Sequence, residues 1–206
     1  MENDNIKALL TETYDKYAHT RDKDAVDWWK EQERDRFLAQ LKAEGKETLL
    51  EIGAATGRES LFFKENGLQP FAIDLSPRMI ELCEQKGLEA AVMSFDELSF
   101  PDASFDAVWS LNCLLHATKA ALPGILEGIH RILKPNGLFY LAMYGGYDFE
   151  GIWKNDYYEP KRFYNYYTNE AIQDLVSQRF IIEYFEPIVV KKGHKMVQQS
   201  MILRKR

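Results

Sequence analysis

Only two cysteines, Cys83 and Cys113, occur among the 206 residues, and both are isolated in apolar patterns. That excludes a disulfide framework and leaves no zinc-ligand spacing, so no metal is expected. No run reaches the roughly 18 apolar residues of a membrane helix. The opening Met1-Glu-Asn-Asp4 is acidic and leads into no apolar core, so no secretory leader is expected and the reducing cytoplasm is the expected home. Positive charge is also in deficit: 26 Lys and Arg stand against 32 Asp and Glu, a net charge of −6. That balance argues against a broad nucleic-acid or anionic-membrane footprint. Lys191, Lys192, Lys195, Arg204, Lys205 and Arg206 are basic, but no aromatic base platform interleaves them, and they read as a solvated loop and chain end. No Gly-Lys-Ser/Thr closes a phosphate loop.

What is present is an apolar run ending in an acid and a Gly-rich turn, Thr48-Leu-Leu-Glu-Ile-Gly-Ala-Ala-Thr-Gly57, followed by Phe71-Ala-Ile-Asp74. Acids at the ends of two successive short strands mark a nucleoside site at the carboxyl edge of a parallel sheet. Tested as a dinucleotide G-x-G-x-x-G, the turn supplies Gly53 but then Ala55 and Arg58. A pyrophosphate wants bare amides at a helix start and no nearby acid. Here Glu51 precedes the turn and Glu59 follows it, opposed only by Arg58. The expected ligand is therefore a nucleoside that carries positive charge and no phosphate. Asp74 is placed to accept from both ribose hydroxyls. Ser76-Pro77 already supplies the next helix with its cap and first residue, which leaves Asp74 free of that duty.

Helical spacing of Leu9, Leu10, Tyr14 and Tyr17, then of Trp28, Trp29, Phe37 and Leu41, predicts one or two helices between Ile6 and Leu41. Strands are predicted at residues 48–52, 70–73, 89–93, 107–111, 138–143, 180–185 and 197–203. Helices are predicted at 59–66, 77–86 and 122–133, with another capped by Thr168. The stripe Leu122, Ile125, Leu126, Ile129, Ile132 and Leu133 is the clearest helical signal. Strands alternating with helices imply an α/β fold, a doubly wound and mostly parallel sheet covered on both faces. One domain is expected over residues 1–206: an N-terminal helical cover (1–45), a cofactor-binding core (46–144), and an acceptor-side segment with helix and hairpin (145–206).

Four stretches resemble the class I S-adenosylmethionine-dependent methyltransferases. Glu51-Ile-Gly53-Ala-Ala55-Thr-Gly57 resembles the family's E/D-x-G-x-G-x-G loop, with Ala55 in place of the middle glycine. Ile73-Asp-Leu-Ser-Pro-Arg-Met79 resembles the second motif, Ser94 to Val108 the D-A-x-x-L-P-F-x-D-x-S-F-D-x-V segment, and Ile132 to Leu138 the L-K-P-G-G-x-L turn. The resemblance implies a Rossmann-like, seven-stranded sheet with an antiparallel C-terminal strand. It implies S-adenosylmethionine as cofactor, with contacts from Glu51, Gly53, Ala54, Ala55, Gly57, Arg58, Asp74, Leu75, Met79, Ser94, Phe95 and Asn112. Glu51 would hold the ammonium, Arg58 the carboxylate, and Met79 would pack on the adenine. Ser94 stands where an acid often meets the adenine amino group. Tyr14 and Tyr17 resemble paired tyrosines that cover the cofactor.

Methyl transfer is an in-line displacement governed largely by alignment. His116, just past the fourth strand, is the candidate base; His19, His130 and His194 have less claim. The aromatic run from Tyr144 to Tyr167 lies where this fold places acceptor-binding elements. Tyr144, Tyr147, Trp153 and Tyr166 are its candidate contacts, with glycines that let it bend as a lid. A small-molecule acceptor is expected, with no nucleic acid and no membrane; no Asn-Pro-Pro-Tyr motif is present. A non-catalytic S-adenosylmethionine-binding protein remains open as an alternative. An NAD-dependent oxidoreductase draws little support from the loop.

Overall fold

Two helices, α1 (Asn3–Arg21) and α2 (Trp28–Ala43), precede a sheet that begins with β1 (Thr48–Ile52). The computed structural model describes residues 3–23, 27–190, 193 and 195–206. Met1, Glu2, Lys191, Lys192 and His194, read above from the sequence, lie outside the described residues. The chain then alternates: α3 (Arg58–Glu65), β2 (Gln69–Asp74), α4 (Pro77–Gln85), β3 (Glu89–Val92), β4 (Phe105–Leu111), α5 (Leu122–Ile132) and β5 (Leu133–Gly145). After β5 come β6 (Phe149–Ile152), β7 (Phe163–Tyr166), α6 (Asn169–Ser177), β8 (Phe180–Ile188) and β9 (Val197–Lys205).

Seven strands form one sheet in the order β3-β2-β1-β4-β5-β9-β8. β1 to β5 run parallel, and β9 lies antiparallel to both β5 and β8. Strand order reverses beside β1, so the carboxyl ends of β1 and β4 flank the crevice where such sheets bind ligands. Side chains alternate across the pleat and are apolar on both faces. Leu50, Val108, Phe139 and Leu141 pack with α5 and α6 through Ile125, Ile129, Ile172 and Val176. Leu49, Trp109, Leu138 and Tyr140 pack on the opposite face with Phe37, Leu41 and Phe63 of α2 and α3. Trp109 and Tyr140 stack with centroids 3.9 Å apart. Each such fully buried apolar side chain contributes about 1.5–3 kcal/mol. Two helical layers therefore clamp the central strands and fix where their ends point.

The aromatic segment is more ordered than a bending lid. β6 and β7 pair antiparallel, Phe149 with Tyr166 and Ile152 with Phe163, as a separate two-stranded flap. α1 lies between this flap and α4. Its Ile6 and Leu10 pack on Phe163 and Ile152, and its Ala18 packs on Met79 and Leu82. Near its start, Asn3 and Lys7 reach Asp96, the lysine at 2.8 Å. No described helix is long and apolar enough to cross a membrane.

Candidate cofactor and acceptor site

Gly53, Ala55 and Gly57 all take positive φ, at 76°, 48° and 76°, and so turn the chain sharply between β1 and α3. The loop is held by Asp74. Its Oδ2 accepts from the Ala55 amide and its Oδ1 from the Ser76 amide, each at 2.9 Å. Burial pushes the Asp74 carboxyl upward, and those amide hydrogen bonds pull the other way. Ser76 caps α4 as expected, its Oγ accepting from the Met79 amide at 3.2 Å. Glu51 is 3% exposed. Its Oε2 accepts from both the amide and the hydroxyl of Ser60, and no described residue donates to Oε1. Burial raises the Glu51 carboxyl to about 8, against the pull of Ser60, with the negative charges of Glu59 and Asp74 adding to the rise.

A cavity of about 650 Å³ opens over these groups. That is the size of a small-molecule site. Glu51, Gly53, Ala54, Ala55, Arg58, Asp74, Leu75, Phe95, Asn112, His116 and Tyr144, all candidate site residues, line it. Asn112 sits at φ 53° just past β4, its Oδ1 accepting from Gln198 Nε2 at 3.0 Å.

Seven expected contacts do not line the cavity. Met79 is fully buried behind the loop, against Ala18 of α1 and Leu82. Gly57 instead lets the start of α3 approach α4 closely, where an added Cβ would strike Leu88 and Cys83. The Ser94 hydroxyl donates to Asp96, which in turn holds Lys7, so this pair anchors α1 and does not face the cavity. Tyr17 stacks edge-on to Tyr158 and accepts from the Glu159 amide outside the cavity; Tyr14 takes the inner position. Tyr147, Trp153 and Tyr166 pack with Phe149 as the core of the flap, with ring centroids 5.3–5.8 Å apart. Arg58 does line the cavity, but its Nη2 donates to the Asp22 carbonyl at the end of α1.

His116 departs most from its expected role. It ends a single 3₁₀ turn, Leu114–His116, and is 4% exposed. Nδ1 donates to the Phe163 carbonyl at 2.6 Å, which leaves Nε2 to accept from the Tyr14 hydroxyl at 2.7 Å. Burial lowers the imidazole to about 3, and nearby Arg162 and Arg21 lower it further. At neutral pH it is an uncharged acceptor that orients Tyr14, not an open base.

Arg21 and Arg162 were not foreseen; with Tyr14, and with Tyr158 and Tyr164 of the aromatic run, they complete the wall. Arg162 is bidentate on Asp156, from Nε at 2.8 Å and Nη2 at 2.9 Å, and its Nη1 donates to the Tyr14 oxygen at 3.1 Å. Its guanidinium lies 4.0 Å from the centre of the Tyr158 ring. An arginine and an aspartate within an aromatic run were the signal available. Residues 153–162 and α1 are joined along their edge, where Thr13 Oγ1 and Lys16 Nζ donate to the Pro160 and Glu159 carbonyls at 2.9 and 2.8 Å.

The sequence model of a methyltransferase domain matches residues 50–141. A demethylmenaquinone methyltransferase of Tropheryma whipplei is 32% identical over 95 residues, covering 44% of this chain and 39% of that protein. A tRNA N(3)-methylcytidine methyltransferase of Schizosaccharomyces pombe is 30% identical over 179 residues, covering 75% and 58%. The chain thus spans less than two thirds of the length of these curated relatives. Among solved structures, the Burkholderia thailandensis 1,6-didemethyltoxoflavin-N1-methyltransferase, with 1,6-didemethyltoxoflavin and S-adenosylhomocysteine bound, superposes with a TM-score of 0.77. It is 23% identical and is matched over 100% of this chain and 91% of that one.

Fold and site together define an α/β nucleoside-binding domain of the methyltransferase type. More particularly, residues 50–141 match the methyltransferase-domain family, and the fold is shared with S-adenosylmethionine-dependent methyltransferases. The donor set fits that cofactor: Glu51 and Asp74 stand at the ends of β1 and β2, and no Gly-Lys phosphate cradle is present.

Proposed function

We propose that this chain transfers the methyl group of S-adenosylmethionine to a small-molecule acceptor held in the same cavity. The observation that carries this reading is the continuity of the cavity. One wall is the acid-bearing turn after β1 and the end of β2, and the other is the tyrosine and arginine wall from α1 and the flap. Asp74 accepts from the ribose hydroxyls with the lone pairs its two amide bonds leave. Leu75 and Phe95 flank the adenine. Oε1 of Glu51 takes the ammonium, and Asn112 borders the methionine. The bound cofactor supplies an electrophilic methyl carbon beside a sulfonium. The protein's own part is to align the acceptor with that carbon and to exclude water, through the seam between α1 and residues 153–162.

The net charge of −6 and the cover formed by α1 support a small acceptor over a polymeric one. The test is incubation of the protein with S-adenosylmethionine carrying a deuterated methyl group and a cell extract split by size. Label appearing in the low-mass fraction supports the reading. Label confined to RNA assigns a polymeric acceptor, and binding with no label anywhere assigns a non-catalytic role.

A further inference from the structure

Arg21 and Arg162 line the cavity with Tyr14, Tyr158 and Tyr164, and the acids Glu51, Glu59 and Asp74 line it too; the Arg21 charge reaches Asp74, whose carboxyl it lowers. Asp156 is consumed by Arg162, and Asp27, also on the lining, pairs with Lys30 at 2.9 Å. Among the described residues Arg21 forms no close ion pair with a carboxylate, and Asp74 feels its charge only at longer range. Its Nη1 donates to the Tyr158 oxygen at 2.8 Å, and its Nε is buried with no acceptor at all. A guanidinium whose charge no close carboxylate neutralises favours an anion in the cavity that it lines.

Of the groups beside these arginines, neither His116 nor Tyr14 is able to take a proton at neutral pH. His116 is fixed as a neutral acceptor for Tyr14 by its Nδ1 bond to Phe163. Burial lowers the His116 imidazole to about 3 and raises the Tyr14 phenol. Arg162 donates to the Tyr14 oxygen from the other side, so that hydroxyl is already saturated.

We infer that the acceptor is a planar oxygen or nitrogen acid that enters already deprotonated, a phenolate or the conjugate base of an acidic ring N–H, held through its charge by Arg21 and Arg162 among the tyrosine rings. This rests on the methyl-transfer reading above. A lone pair of the anion forms the bond to the methyl carbon while the carbon–sulfur bond breaks and its electron pair stays on sulfur. The negative charge of the acceptor and the positive charge of the sulfonium cancel, and no proton moves. The flat rings of Tyr14, Tyr158 and Tyr164 suit a planar guest. The carboxylate of the cofactor's methionine is the other anion able to reach Arg21, and the experiment separates the two.

The probe is 4-nitrophenol, whose anion absorbs visible light and whose neutral form does not. It is titrated across pH onto protein saturated with S-adenosylhomocysteine, and binding of that nucleoside is measured separately by calorimetry. The expected result is a bound probe that ionises at least one pH unit lower than free probe, a tenfold preference for the anion. Arg21→Gln should cut that preference at least threefold and leave S-adenosylhomocysteine affinity within twofold. The inference is overturned by no binding of the probe, by preference for the neutral form, or by an unchanged preference in the variant. It is equally overturned if Arg21→Gln weakens the nucleoside tenfold instead, which assigns the guanidinium to the cofactor's carboxylate. Absence of S-adenosylhomocysteine binding in the wild type is a different failure: it removes the methyl-transfer reading beneath, and the inference with it.

Discussion

Ala55 is a non-glycine residue in the left-handed region, at φ 48°, in a loop whose neighbouring glycines turn the same way. That backbone costs a β-carbon roughly 1–2 kcal/mol, while glycine loses about 0.5–1 kcal/mol of extra conformational freedom on folding. Ala55→Gly is therefore expected to raise stability slightly, by up to about 1 kcal/mol, with the amide bond to Asp74 kept. Chemical denaturation checks it, and a loss larger than that would contradict the strain assignment. Glu51 gives a second prediction at this scale. Its carboxyl sits at about 8 in the free protein, so at pH 7 about 0.9 of it is protonated. Pairing with the cofactor's ammonium requires the carboxylate, so binding should release close to one proton at pH 7 and fewer as pH passes 8. Calorimetry in buffers of different ionisation enthalpy reads that number, and Glu51→Gln should abolish the release. The linked stability effect has the corresponding sign. A folded value raised above 4.5 means the free protein loses stability as pH climbs from about 4.5 through 8.

Elements differ in what fastens them. α2 is pinned to the far edge of the sheet by Glu33, which is 3% exposed. Ser200 of β9 donates to its carboxylate and is backed by Tyr140 at 2.9 Å, while the Tyr184 hydroxyl of β8 lies between Glu33 at 3.0 Å and Glu186 at 2.6 Å. Glu33→Ala takes the carboxylate from the buried Ser200 hydroxyl, while Tyr184 keeps Glu186, and should cost about 1–3 kcal/mol. The urea midpoint should fall at constant slope, and an unchanged midpoint would show that packing alone holds α2. The helices and strands of the core were legible because their signals are local. The Leu122-to-Ile132 stripe became α5, and Ser76-Pro77 became the cap of α4. β6 and β7 were not legible. The ten residues 153–162 separate them, no short hairpin turn joins them, and their rings fit a packed core as well as a lid. Tyr147, Trp153 and Tyr166 resolved to that core. Arg162 and Arg21 escaped notice because the burial of a cation depends on partners distant in sequence, here Tyr14 and Tyr158. His116 was found by position, but its neutrality came from the carbonyl of Phe163, 47 residues away.

Across the whole molecule, the sheet supplies a rigid floor at its switch point while α1 and the flap supply the roof. The turn after β1 is tied by Asp74 to the end of β2, so under the proposed function ligand and loop would share one carboxylate. This makes Asp74 the place where fold and function are hardest to separate. Asp74→Asn keeps the shape and one acceptor oxygen, gives up one of the two amide bonds, and removes the charge proposed to meet the ribose hydroxyls. Charge-assisted hydrogen bonds of this kind contribute roughly 1.5–3 kcal/mol. The most direct measurement is a calorimetric titration of S-adenosylhomocysteine into the wild type and Asp74→Asn, alongside their thermal melts. The account predicts one-to-one binding to the wild type, weakened about ten- to a hundredfold in the variant, with the melt still cooperative. Equal affinity in the two proteins, or a wild type that ignores the nucleoside and takes up NADH instead, would contradict it.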